Sequence, residues 1–143
     1  NLVKRVSAVH GFKRTGRRIR QRVLERAHTH FSTTNEEVGE FFWPPETNAS
    51  QWRIYRLPAS SADRRPPNEI PMEELVALAQ AYRDEQDPTR AMARALGIAR
   101  LSSQHRERLN QALEALRLKK PRKPNDVGKY AIRHEALQHS ACP

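Results

Sequence analysis

One cysteine in 143 residues, Cys142 beside the C-terminus, cannot build a disulfide framework. A cytosolic compartment is therefore the default expectation. No apolar run approaches the roughly 18 residues that a membrane crossing takes, and no signal-peptide pattern is present. The chain opens at Asn1, without methionine and already inside a helical pattern, and reads as an excised piece of a longer protein. No glycine-rich loop ends in Lys-Ser/Thr, which removes the common ATP-phosphate cradle. The acids are scattered, and none makes a nuclease-like cluster beside a lysine. Asp84, Glu85 and Asp87 read as a solvated helix end. Ser102 and Ser103 have His105 nearby but no orienting acid, so Ser102 reads as a helix cap. His28 and His30 find no second tight pair among His134, His139 and Cys142, which argues against zinc. The expectation is a non-enzyme without metal or cofactor.

Acids are also scarce: 16 Asp and Glu face 26 Lys and Arg, for a net charge of +10. The excess is uneven. Residues 1–30 hold nine basic residues and one acid, the middle of the chain is net acidic, and residues 91–120 return to +5. Two basic blocks around an acidic middle point to a polyanion partner, most simply nucleic acid.

Leu2, Val3, Val6 and Val9 recur at helical spacing, and Gly11 stands where a helix-ending glycine belongs. A second helix is expected from Thr15, with its hydroxyl as cap. Its apolar stripe is Ile19, Val23, Ala27 and Phe31, widened by Leu24, and Arg18, Arg22 and Arg26 follow each other at four-residue spacing on a neighbouring face. Phe41–Trp43 and the alternating residues 52–57 read as two strands of a β-hairpin, with the aromatics between 41 and 55 as a small core. Residues 58–69, rich in Pro and Ser, read as a linker. "IPMEELVALAQAYRDEQ" is an amphipathic helix facing a core with Leu75, Leu78, Ala79 and Tyr82; Pro71 suits its first turn, and Glu73 and Glu74 suit its dipole. Asp87-Pro88 starts another helix that runs to Gly97, and a third begins near Ser102 with Leu109, Leu113 and Leu116 on its apolar side. Residues 119–143 form a basic tail in which Lys129 to Ile132 could make a strand.

Shifting the chain by 86 positions lays Gly11 on Gly97, Arg14 on Arg100, Arg20 on Arg106 and Arg22 on Arg108. Phe12 then falls on Ile98 and Val23 on Leu109. Helix, turn, amphipathic helix and hairpin is the order of a winged helix. The expected fold is mainly α with a small β-hairpin, arranged as tandem winged-helix-like units. The first, residues 1–57, lacks its opening helix; the second, residues 70–118, has a degenerate wing.

"GFKRTGRRIRQRV", "FFWP", "EIPMEEL" and "LGIARLSSQHRERL" together resemble a bacterial domain of unknown function. That domain stands at the C-terminal end of large helicase-like proteins. The resemblance spans roughly residues 2–116 and implies a parent with a P-loop helicase core and a very-short-patch-repair-type endonuclease domain. Some such parents are associated with defence against phage.

The basic stretch carries the functional expectation. Arg17 and Arg18 fall in the first turn of a helix, where the positive dipole end disfavours cations by typically about 0.3–1 kcal/mol each. A docked phosphate reverses that penalty. Lys13 and Arg14 on the turn add two phosphate contacts, while Arg18 and Arg22 face outward to reach base edges or the opposite strand; Thr15 and Arg26 complete the expected binding residues of this stretch. Arg100 is the matching residue of the second unit. Arg20, near the apolar stripe, is expected to be structural and paired with a carboxylate. The expected partner is DNA, bound without catalysis. The alternative is docking onto the helicase or nuclease domains of the same parent.

Overall fold

The computed structural model describes residues 2–118. The tail 119–143, including the strand expected at Lys129 to Ile132 and the residues His134, His139 and Cys142, lies outside the described residues. The chain divides into two compact units between Gln51 and Trp52.

In the first unit the expected helices form as α1 (Leu2–Val9) and α2 (Arg17–His30). Gly11 ends α1 with a φ of +75°. The amide of Phe12 donates to the Ser7 carbonyl (2.9 Å) and that of Gly11 to the Ala8 carbonyl (3.0 Å). This pair of bonds is the Schellman closure, which a left-handed glycine permits. Two expectations about α2 are corrected. It starts at Arg17, with Gly16 rather than Thr15 as its N-cap, and no side chain caps it. Thr15 falls one residue outside the cap position and is exposed. Phe31 lies past the helix end and is exposed, whereas Ile19, Val23, Leu24 and Ala27 do turn inward.

The hairpin follows α2 at once, and its pairing differs from expectation. β1 is Ser32–Glu36 and β2 is Gly39–Trp43, antiparallel, with Ser32 opposite Trp43 and Glu36 opposite Gly39. The aromatic run is a strand as expected, but its partner is the polar stretch before it, not residues 52–57. The Trp43 indole N–H donates to Thr34 Oγ1 (3.0 Å) across the strands. The other face meets the end of α2: His28 lies edge-on to Phe42, with ring centroids 5.1 Å apart, and its Nε2 is 3.2 Å from Glu40 Oε2. Residues 52–57 belong to the second unit, where Tyr55 packs against the helical core.

The second unit packs α3 (Met72–Tyr82), α4 (Pro88–Ala95) and α5 (Ser103–Leu118) around Ile70, Leu75, Leu78, Met92 and Leu109. Pro71 sits at the N-cap of α3. Asp87 caps α4, accepting from the Arg90 amide at 3.0 Å, with Pro88 as its first residue. Ser102 Oγ accepts from the His105 amide at 3.2 Å at the start of α5. Among the described residues no helix is long and apolar enough to cross a membrane.

The stretch 58–69 is not a free linker. It holds two 3-10 turns, Ser61–Asp63 and Pro67–Glu69, and buries Pro67. Its place is held by two charged side chains. The Glu74 carboxylate, 3% exposed, accepts from Arg65 Nη1 and Nη2 (3.0 and 2.6 Å) and from the Arg56 amide and guanidinium. Arg108 reaches back from α5 to donate to the Pro67 and Ile70 carbonyls at 3.3 and 3.0 Å. Proline-rich backbone has few amide donors and many carbonyls, so arginines satisfy it where a helix or sheet would not.

The 86-residue shift holds in the geometry. Leu2–Val9 maps onto Pro88–Ala95, and the starts of α2 and α5 coincide at Arg17 and Ser103. The Ile98 amide donates to the Ala93 carbonyl and that of Gly97, at φ +72°, to the Arg94 carbonyl, repeating the closure at Gly11 bond for bond. Both glycines occupy the left-handed region, which costs an L-residue roughly 1–2 kcal/mol. Gly11→Ala meets nothing within 4 Å and should lose only that strain. Gly97→Ala would also place its Cβ 2.9 Å from Arg64 Nε and should lose somewhat more. Thermal unfolding of the two variants checks both values.

Candidate nucleic-acid interface

The short turn after Gly11 and the uncapped start of α2 place Lys13, Arg14, Thr15, Arg17 and Arg18 on one continuous exposed segment. Arg22 and Arg26 continue it one and two turns further along α2 and are also exposed. Arg18, Arg22 and Arg26 stand four residues apart, where like charges repel by roughly 0.2–0.5 kcal/mol per pair. The only acid on α2 is Glu25, whose Oε1 accepts from Gln21 Nε2 at 2.9 Å. Among the described residues, no side chain of Lys13, Arg14, Arg17, Arg18, Arg20, Arg22 or Arg26 has an ion-pair or hydrogen-bond partner.

Arg20 corrects an expectation: it is exposed, and no carboxylate among the described residues pairs with it. It joins the unpaired cations instead of serving the packing of α2.

The first intrahelical bond of α2 is the Arg20 amide to the Gly16 carbonyl, at 3.0 Å. The amides of Arg17, Arg18 and Ile19 therefore point out of the helix start, and no side-chain oxygen among the described residues receives them. Free amides and first-turn guanidinium groups together suit an anion, and each is unfavourable without one.

Arg100 is not part of this segment. It lies in the α4–α5 turn of the second unit, exposed, at the position matching Arg14. The match between Arg22 and Arg108 separates the two units instead. Arg108 is buried and holds backbone carbonyls, whereas Arg22 is exposed. Glu74 and Arg108 are structural; the sequence marks Glu74 only as a helix-dipole acid and Arg108 only as the match of Arg22, because their partners lie far along the chain. Among the described residues no group of three His, Cys, Asp or Glu side chains is placed to hold a metal ion.

Comparison of the chain with protein-family models, with curated proteins and with solved structures finds no match.

Proposed function

We propose that this chain is a non-catalytic nucleic-acid-binding module that grips the phosphate backbone of double-stranded DNA. The observation that carries the reading is the run of cations from Lys13 to Arg26, which have no partner among the described residues, over a helix start that none of those residues caps with a side chain. A chain that used these residues only as a solvated face would gain by interspersing acids, as i,i+4 pairs of opposite sign are stabilising. In this reading α1, α2 and the β1–β2 hairpin act in a winged-helix-like way, with α2 approaching a groove and the hairpin lying beside the backbone. Phosphate contacts outnumber base readers, so sequence preference is low. The resemblance adds a setting: the module would hold a helicase–nuclease parent on its substrate.

Docking onto a partner domain is the second reading. Val9 and Phe12, 85% and 52% exposed beside Gly11, favour it, since they are large apolar side chains next to the same turn.

Titration of a fluorescent duplex with the full chain separates the two. DNA binding through six or more phosphates predicts an affinity loss of about a thousandfold or more between roughly 50 and 200 mM salt. Absence of any binding at the lower salt removes the DNA reading. Capture of parent domains that survives loss of the α2 arginines supports the docking reading.

A further inference from the structure

We infer that the α4–α5 turn of the second unit is a separate site for one phosphate of a nucleic-acid strand. The inference rests on the reading of the chain as a nucleic-acid binder, and the site itself is made by residues of the second unit alone.

A depression of about 400 Å³ opens at this turn, lined by Arg90, Arg94, Arg100 and Arg106, with Ile98 and Leu101 contributing apolar surface. No acid is among its lining residues. Its volume falls within the range of small-ligand clefts and exceeds that of a phosphate alone, which leaves room for a neighbouring sugar.

The charge state of the lining decides the ligand. Arg90 has an acid in reach, Asp87 at 3.7 Å, but that carboxylate also caps the Arg90 amide. Arg94, Arg100 and Arg106 have no side-chain partner among the described residues. Arg94 lies in the last turn of α4, where the negative dipole end accommodates a cation without any ligand. Arg100 and Arg106 have no such explanation. Arg100 is in the turn, and Arg106 is in the first turn of α5, at the unfavourable end of the dipole. On a merely solvated face arginines spread apart; here four of them border one concavity. Guanidinium forks match the paired oxygens of a phosphate, and their charge compensates its own.

The repeat carries the expectation of a phosphate over from the first unit. Arg100 and Arg106 occupy the positions of Arg14 and Arg20, after the same glycine closure and at the same distance from the helix start. In both units one arginine stands three residues ahead of the helix start and another three residues after it. The second unit has also used its Arg22 equivalent, Arg108, to hold backbone, which leaves Arg100 and Arg106 free.

Arg100→Ala/Arg106→Ala in the full chain tests the inference, because both residues are exposed and their removal should leave the melting temperature equal or slightly raised. The slope of log affinity for duplex DNA against log salt should fall by about 1, as loss of one phosphate contact requires, and Arg100→Lys/Arg106→Lys should restore most of it. An unchanged slope in the alanine variant, while alanines at Lys13, Arg14, Arg17 and Arg18 flatten it, overturns the inference and leaves the DNA reading standing. If neither set changes the slope, the DNA reading itself fails. Inorganic phosphate, titrated while the amides of residues 97–106 are followed by NMR, identifies the source. Shifts that the alanine variant abolishes, together with an unchanged DNA slope, mark a site for free phosphate and overturn the assignment to a nucleic-acid strand.

Discussion

Replacing Lys13, Arg14, Arg17 and Arg18 together with alanine is expected to lower the salt slope of duplex binding by roughly 3–4, at about 0.9 per phosphate contact. Between roughly 50 and 200 mM salt, the unsubstituted chain should then lose on the order of a hundredfold more affinity than the variant. The same substitutions should not unfold the protein. All four side chains are exposed and none has a partner among the described residues. Arg17 and Arg18 stand at the positive end of the α2 dipole, so their loss should stabilise α2 by about 0.3–1 kcal/mol each. Weaker binding with equal or higher stability is the signature of residues kept for an anion. Circular-dichroism melting beside the DNA titration reads both quantities. Equal affinity and slope in variant and parent would assign the basic turn to something other than phosphate.

The largest stability effect is expected at Glu74. Glu74→Ala should destabilise the second unit by about 3–5 kcal/mol, since it strips the partner from Arg65, which is 12% exposed. A domain's whole stability is about 5–15 kcal/mol, so the variant should be largely unfolded in mild denaturant. Burial pushes the Glu74 carboxyl upward, but hydrogen bonds from Arg65 and Arg56 and their charges outweigh it and hold the group below its ordinary 4.5. The folded state therefore binds this proton less readily than the unfolded state. The stabilisation is complete above about pH 4.5 and is lost as pH falls through the lower, folded value. Hydrogen exchange over α3 to α5 of the full chain measures the mutational effect, and its acid dependence measures the linkage. Arg56→Ala should cost much less, because Arg56 is 55% exposed and Arg65 remains bonded to the carboxylate.

The helices were legible because their signals are local. Asp87-Pro88, Ser102 and the two glycines mark starts and stops within a few residues, and the leucine spacing of α3 and α5 sets their inward faces. The hairpin was legible only in part. Phe41–Trp43 announces a strand, but Ser32–Glu36 carries no apolar alternation; it pairs through its backbone, and Thr34 alone accepts the Trp43 indole N–H. Residues 52–57 do alternate, yet they are held as extended chain by Glu74 and by an indole bond from Trp52 to the Ile54 carbonyl at 2.6 Å. The stretch 58–69 reads as a linker by composition, and only the long-range arginine bonds tie it down. Thr15 and Gly16 differ little as caps, so one residue of helix length decides between them. The candidate interface was legible as charge; that Arg20 stands unpaired with the others was not.

The first unit buries little: among its described residues only Ser7, Ala27 and Trp43 are buried, against the dense leucine and methionine interior of the second. The cations are thus mounted on the part of the chain with least to hold it shut. Local opening there takes far less free energy than global unfolding of the second unit. A polyanion that neutralised the start of α2 would do more than attach to a finished surface, because it would also settle the helix that carries its contacts. Part of the interaction energy would then be spent on ordering, and the change in heat capacity on binding should exceed what the touching surfaces alone account for.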